Sequence, residues 1–116
     1  MKAFLIDAKE RQIREIDYSG NWEGIHTLIG CDTFDVATFS ADGDGVYIDD
    51  EGLLTSPEHF FLIDGYPTPL AGNGLVLGCD EYGNSISPKI TLEELALSVK
   101  WMTPQEAYRY AMENDL

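Results

Sequence analysis

The chain has 116 residues, of which 44% are hydrophobic and 24% charged, with 21 Asp and Glu against 7 Lys and Arg. This length lies within the common domain range of about 100–150 residues and predicts one domain over residues 1–116. The formal net charge of −14 excludes a sequence-general nucleic-acid binder, because such proteins need a basic surface. No apolar run approaches the roughly 18–20 residues of a membrane-spanning helix, and no export signal is visible. With only two cysteines, we therefore expect a cytoplasmic protein with free thiols and no membrane contact.

The first half of the chain is typical of short strands with one helix. Residues 3–6 and 12–16 flank a polar turn and predict an opening hairpin. Apolar residues recur at helical spacing over residues 22–29, with Asn21 as the N-cap and Gly30 as the stop.

The middle of the chain predicts four further strands. Residues 34–39 and 46–48 form a second hairpin, because Asp42-Gly43-Asp44-Gly45 supplies the positive φ angles that tight turns require. Residues 60–63 and 74–78 are apolar strands, and the two prolines within residues 65–69 predict a loop between them.

The last quarter of the chain predicts helices. Thr91 with Glu94, and Thr103 with Glu106, have the spacing of capping boxes, and the second continues into a helix to about Glu113. Leu97, Val99 and Trp101 alternate between the two helices as a last strand. The sum is an α+β domain of six to seven short, mainly antiparallel strands with two to three helices, including a C-terminal helix.

The whole net charge belongs to the middle of the chain. Residues 15–88 hold 14 acidic residues and no Lys or Arg, whereas the two ends balance to zero. Fourteen charges correspond to about 24 Å of duplex DNA, so one face can approach the charge density of a nucleic acid. Two interpretations stay open: a surface that only keeps the protein soluble, or a docking face for a basic protein partner. The candidate partner-binding acids are Asp42, Asp44, Asp49, Asp50, Glu51, Asp80 and Glu81.

The sequence matches no common catalytic or cofactor-binding motif. It lacks Gly-x-Ser-x-Gly, a P-loop, a dinucleotide-binding Gly-x-Gly-x-x-Gly after a strand and His-Glu-x-x-His. Counting from Asp42, an EF-hand fails because position six is Tyr47 and position twelve is Leu53. We therefore predict no catalytic residue, no cofactor and no metal ligand, and leave open a weak cation site at the 42–51 hairpin.

One segment is unusually rich in apolar and aromatic residues. Packing in the core is the first explanation for such a cluster, and the alternative is an exposed interface for a partner or a second copy. The candidate apolar interface consists of Phe60, Phe61, Tyr66, Pro67 and Pro69.

Residues 46–54 (Val-Tyr-Ile-Asp-Asp-Glu-Gly-Leu-Leu) and 74–84 (Gly-Leu-Val-Leu-Gly-Cys-Asp-Glu-Tyr-Gly-Asn) form a recognisable pattern: a strand followed by an acidic Gly turn, twice. It resembles the small proteins of domain of unknown function 3846, which are carried by phages, plasmids and bacterial genomes. The resemblance covers about residues 30–84, and the opening hairpin agrees with it. It implies a mobile-element setting and transfers no catalytic residue.

Two functional hypotheses follow. In the first, the protein is a non-enzymatic binding protein whose acidic middle docks on a basic partner, such as a nucleic-acid-processing or defence protein, by mimicry of a nucleic acid. In the second, it is a homodimeric housekeeping or assembly module that uses the apolar patch, and its acidity serves solubility alone.

Overall fold

The computed structural model describes residues 1–21, 23–30, 33–40, 42–49 and 57–114. Within them the chain forms twelve elements, nine of them strands. In chain order they are β1 (Lys2–Asp7), β2 (Gln12–Asp17), α1 (Glu23–Ile29), β3 (Phe34–Thr38), β4 (Gly45–Asp49), β5 (Phe60–Ile63), β6 (Leu70–Ala71), β7 (Gly74–Cys79), β8 (Ser85–Ile86), α2 (Leu92–Ser98), β9 (Val99–Met102) and α3 (Pro104–Glu113).

The strands form two antiparallel sheets. The larger sheet has the order β2-β1-β7-β4-β3, with β8 paired to the end of β7. The smaller sheet has the order β6-β5-β9. In the larger sheet β7 lies between β1 and β4, so the opening hairpin and the second hairpin are joined through a strand that comes much later in the chain.

The main core lies between the two sheets. From the larger sheet Phe4, Ile6 and Val76 pack against Phe61 and Ile63 of β5, and all five side chains are essentially inaccessible to solvent. Leu95 of α2 closes the same core. The fold is therefore the predicted α+β class, with the sheets stacked on each other as well as on helices.

The outer faces of both sheets are also covered. Leu5 and Leu75 point to the opposite side of the larger sheet, where they pack with Ile25 and Ile29 of α1. Since both faces of β1 and β7 are buried, these strands are continuous apolar runs rather than alternating ones. On the smaller sheet, Phe60, Ala71 and Met102 pack against Ala107 of α3.

The predicted starts of α2 and α3 are confirmed. The Thr91 hydroxyl accepts the Glu94 N–H at 3.1 Å, and the Glu94 carboxylate accepts the Thr91 N–H at 3.2 Å. Thr103 and Glu106 form the same reciprocal pair at the start of α3. Hydrogen bonds from Thr103 lower the pKa of Glu106, which favours the ionised form of the capping carboxylate.

The structure differs from the local predictions in two respects. The two-residue strands β6 and β8 were not predicted, because segments that short carry no periodicity. Leu97 belongs to α2, which continues to Ser98, and is 88% exposed rather than part of a strand. The predicted last strand therefore begins at Val99.

Candidate functional site

Asp44, which was predicted to belong to the acidic docking surface, is buried. Its side chain is 1% exposed. The Lys89 N–H donates to both carboxylate oxygens at 3.0 Å, and the Ile90 N–H donates to Oδ2 at 2.8 Å. These donors lie just before the N-cap of α2 at Thr91, so Asp44 anchors the start of that helix to the second hairpin. A carboxylate used in this way is not accessible to a partner, and the prediction of Asp44 as a docking residue is corrected.

Asp42, Asp80 and Glu81 lie together at one end of the larger sheet. Gly45 at the start of β4 is opposite Leu77 near the end of β7, so the turns outside these residues are neighbours. A Cβ atom built on Gly43 would lie only 3.5 Å from the carbonyl oxygen of Cys79. We call the exposed surface formed by Asp42 and residues 80–84 the turn surface.

The Asp80 side chain holds the turn surface in one conformation. Its Oδ1 accepts the N–H groups of Asn84 at 2.8 Å and Tyr82 at 2.9 Å, and its Oδ2 accepts the Asn84 side-chain amide at 3.2 Å. These bonds, led by the one from the Asn84 backbone, lower the pKa of Asp80. The same turn presents Tyr82, which is 82% exposed, beside Glu81. Cys79 at its base is exposed, and its thiol is free.

Asp49 lies at the opposite end of β4 from the turn surface. Four residue steps separate it from Gly45, which is about 13 Å along a strand. Among the described residues, the predicted acids therefore lie at both ends of β4 and not at one. Asp50 and Glu51, which were predicted with Asp49, lie outside the described residues.

A small cleft brings together acidic and apolar candidates from separate parts of the sequence. Asp35 of β3 lines it together with Tyr66 and Pro69. Asp49 of β4 also borders it, but it is paired with Phe34 in the register, so its side chain leaves the sheet on the opposite face from Asp35. Asp35 is exposed and lies opposite Ile48 in the register of β3 and β4, so both side chains are on the same face of the sheet. Ile48 also lines the cleft, which we call the acidic cleft. The acidic cleft has a volume of about 210 Å³.

Asp35 was missed as a site residue. It lies inside the predicted strand of residues 34–39. A single acid between apolar residues of a strand indicates a side chain that faces solvent, and not a binding site. Its location beside Tyr66 depends on how the loop after β5 passes the second hairpin. The carbonyl oxygen of Phe39 lies so close to Gly65 that a Cβ there would overlap it, which fixes that passage.

The predicted apolar interface is only partly at the surface. Phe61 is fully buried and Phe60 is 9% exposed, and both belong to cores of the fold. These two predictions are corrected: β5 is the central strand of the smaller sheet, so both of its faces are covered. Pro67 is exposed, whereas Tyr66 and Pro69 are half-buried along the acidic cleft.

Among the described residues, no three His, Cys, Asp or Glu side chains are grouped as a metal site would require. Part of the 42–51 hairpin, where a weak cation site was left open, lies outside those residues. None of the helices within the described residues has both the length and the apolar composition needed to cross a bilayer.

Two curated bacterial proteins are similar to this chain. An uncharacterised protein, y4iR of Sinorhizobium fredii, is 28% identical over 104 residues, which is 88% of this chain and 64% of the relative. Protein PsiB of Rhizobium leguminosarum bv. phaseoli is 38% identical over 72 residues, which is 62% of this chain and 53% of the relative. The chain thus spans less than two thirds of either relative. No solved structure matches it.

The sequence profile of one protein family, described as Domain of unknown function (DUF3846), matches residues 1–97. This range includes both predicted hairpins, β7 with its acidic turn, and nearly all of α2. The chain therefore belongs to the DUF3846 family.

Proposed function

We propose that this protein is a non-enzymatic binding protein whose acidic surface docks on a basic protein partner. The acidic cleft carries the proposal. It combines an exposed carboxylate at Asp35 with the ring of Tyr66 and the flat face of Pro69. Its volume of about 210 Å³ lies below the roughly 300–1,000 Å³ of small-molecule sites, which favours a single long side chain as its occupant. An arginine or lysine of the partner suits it, because the aliphatic stem packs on the ring while the charge faces the carboxylate.

The remaining exposed acids supply the long-range part of the recognition. A net charge of −14 raises the association rate with a basic partner, and this steering weakens as salt shortens the Debye length from about 10 Å at 0.1 M to about 3 Å at 1 M. The turn surface adds the charge of Glu81 to this attraction, and the exposed Tyr82 beside it offers a short-range contact. Proteins that process nucleic acids or defend against foreign ones carry the required basic surface, and we propose a partner of this kind.

The experiment is capture of partners from bacterial lysate by the immobilised protein at about 50 and 500 mM salt. Three variants accompany the wild type: Asp35→Asn for the acidic cleft, Asp42→Asn/Glu81→Gln for the turn surface, and Glu10→Gln/Glu113→Gln as the control. The control has the same net charge as the turn-surface variant, but both of its changes lie in the charge-balanced ends of the chain.

We expect a basic partner that is held at low salt, released at high salt and retained by the control. Asp35→Asn should lose about tenfold in affinity, as expected for removal of a charge-assisted contact. If all variants capture the same proteins equally at both salt concentrations, electrostatic docking is wrong. If only Asp35→Asn binds normally while the turn-surface variant fails, the docking face lies at the turns and not at the acidic cleft.

A further inference from the structure

An apolar groove lies on the outer side of the smaller sheet, between α3 and the loop before β6. Its volume is about 490 Å³, and none of the described residues that line it is charged. The α3 side is low, because alanines occupy two positions one helical turn apart. Tyr108 at the rim is 69% exposed, so the groove is open to solvent. We call this feature the α3 groove; the residues that define it are Phe60, Thr68, Pro69, Ala107, Tyr108 and Ala111.

The α3 groove and the acidic cleft share a wall. Thr68 and Pro69 line both of them. Beyond this shared wall, β3 and β4 of the larger sheet complete the acidic cleft, whereas α3 and Phe60 complete the α3 groove. The two recesses therefore lie on opposite sides of the same two residues, and whatever binds in the acidic cleft has the α3 groove as its apolar neighbour.

The loop that carries the shared wall is held at both of its ends. At its start the Tyr66 N–H donates to the Ile63 carbonyl oxygen at 3.1 Å, and at its end Leu70 pairs with β5. Between these points Pro67 and Pro69 restrict the backbone φ angles. A wall that is formed before binding lowers the entropy lost when a ligand is ordered on it.

The different chemistry of the two recesses selects one kind of occupant. Asp35 places a negative charge at the acidic cleft, whereas the α3 groove is uncharged and apolar. A second copy of this chain is disfavoured at such a pair of recesses, because its net charge of −14 opposes its approach to Asp35. We propose that one extended segment of the basic partner binds across both recesses, with an arginine or lysine in the acidic cleft and a large apolar side chain in the α3 groove. This inference rests on the proposed function and adds a second anchor to it.

The width of the shared wall sets the spacing of the two anchors along the segment. The wall is two residues wide, and two residues of an extended chain cover about 7 Å. Side chains of an extended segment alternate between its two faces, so anchors on the same face are separated by an even number of positions. We therefore expect the basic and apolar anchors two or four positions apart, which spans about 7–13 Å.

Titration of the isotope-labelled full chain with synthetic peptides, followed by NMR chemical shifts, tests the proposal. Arg-Ser-Leu and Arg-Ser-Ser-Ser-Leu, capped at both ends, carry both anchors; Arg-Ser-Ser carries the basic anchor alone and Ser-Ser-Leu the apolar anchor alone. We expect a Kd of about 1 mM for the better of the two-anchor peptides. Each single-anchor peptide should bind at least about tenfold more weakly, because it lacks either the buried leucine or the charge-assisted contact.

Three variants separate the α3 groove from the acidic cleft. Ala111→Gln fills the α3 groove without changing the net charge, and should reduce the two-anchor peptides to the affinity of Arg-Ser-Ser. Ala96→Gln is the matched control: it makes the same substitution at an exposed position of α2, outside both recesses, and should leave every Kd unchanged. Asp35→Asn tests the acidic cleft and should weaken all arginine peptides about tenfold. Circular dichroism of each variant verifies that the helices still form.

The outcomes distinguish failure of this inference from failure of the proposed function. If the arginine peptides bind and respond to Asp35→Asn, but leucine adds no affinity at either spacing and Ala111→Gln changes nothing, the joint site is wrong and the proposed function stands. If Ser-Ser-Leu binds as tightly as the two-anchor peptides, the α3 groove is an apolar site of its own and the joint site is again wrong. Absence of any arginine-dependent binding overturns both.

Discussion

The buried carboxylate of Asp44 gives the sharpest test of how this fold is held together. Both of its oxygens accept the Lys89 N–H at 3.0 Å, and Oδ2 also accepts the Ile90 N–H at 2.8 Å. Asp44→Asn keeps the shape of the side chain but removes its charge and converts one acceptor into a donor. Hydrogen bonds to a charged group contribute about 1.5–3 kcal/mol, against about 0.5–1.5 kcal/mol for neutral pairs. With two backbone donors affected, we expect the free energy of unfolding to fall by about 2 kcal/mol.

This loss converts into a measurable change in melting temperature. An unfolding entropy of about 2.1 cal/mol/K per residue, over the whole chain, amounts to about 0.24 kcal/mol/K. Asp44→Asn should therefore lower Tm by about 8 °C in differential scanning calorimetry. Asp44→Ala, which leaves both N–H groups without this acceptor, should lower it further.

Asp42→Asn is the matched control for Asp44→Asn. It lies two residues away in the same turn, is exposed, and relieves the same amount of overall charge repulsion. Its effect should stay within about 0.5 kcal/mol, as for most surface substitutions. Equal melting temperatures for Asp42→Asn and Asp44→Asn would refute the view that the Asp44 carboxylate anchors the start of α2.

Three further predictions concern other local structures. Gly65→Ala should destabilise the fold by about 3 kcal/mol in urea unfolding, because φ is +93° there and the new Cβ would overlap the Phe39 carbonyl oxygen. An unchanged unfolding midpoint would contradict this close approach of the backbone. Thr91→Ala should cost about 1 kcal/mol by the loss of the α2 cap, whereas Thr91→Ser should cost much less; equal losses would argue against the capping role. The pKa of Asp80 is below its ordinary value of 3.8, so its stabilising effect is present above that pH and is lost as the pH falls through the lower, folded-state pKa. Asp80→Asn should thus flatten the decline in Tm between about pH 5 and pH 2, and an unchanged slope would show that Asp80 contributes nothing to acid unfolding.

Most secondary structure was predictable because its signals lie within a few residues of each other. The capping boxes at Thr91 and Thr103 are confirmed, as are the opening hairpin and the turn between β3 and β4. Each is decided by local backbone geometry and by a side chain that bonds to its own neighbourhood. The apolar runs of residues 3–6 and 74–78 were also predicted as strands, and the structure buries both faces of each.

The surface, in contrast, was decided by tertiary structure. Nothing local distinguishes Asp44 from Asp42, yet the packing of residues 89 and 90 against the second hairpin buries one and leaves the other exposed. The same holds for Asp35, which meets Tyr66 only because the loop after β5 crosses the hairpin at Gly65. By itself the sequence determined the fold class, the starts of α2 and α3 and the excess of negative charge, because these depend on composition and on neighbours along the chain. Which carboxylates and aromatic rings form a surface depends on contacts between residues distant in sequence, and only the packing of the two sheets and three helices decided it.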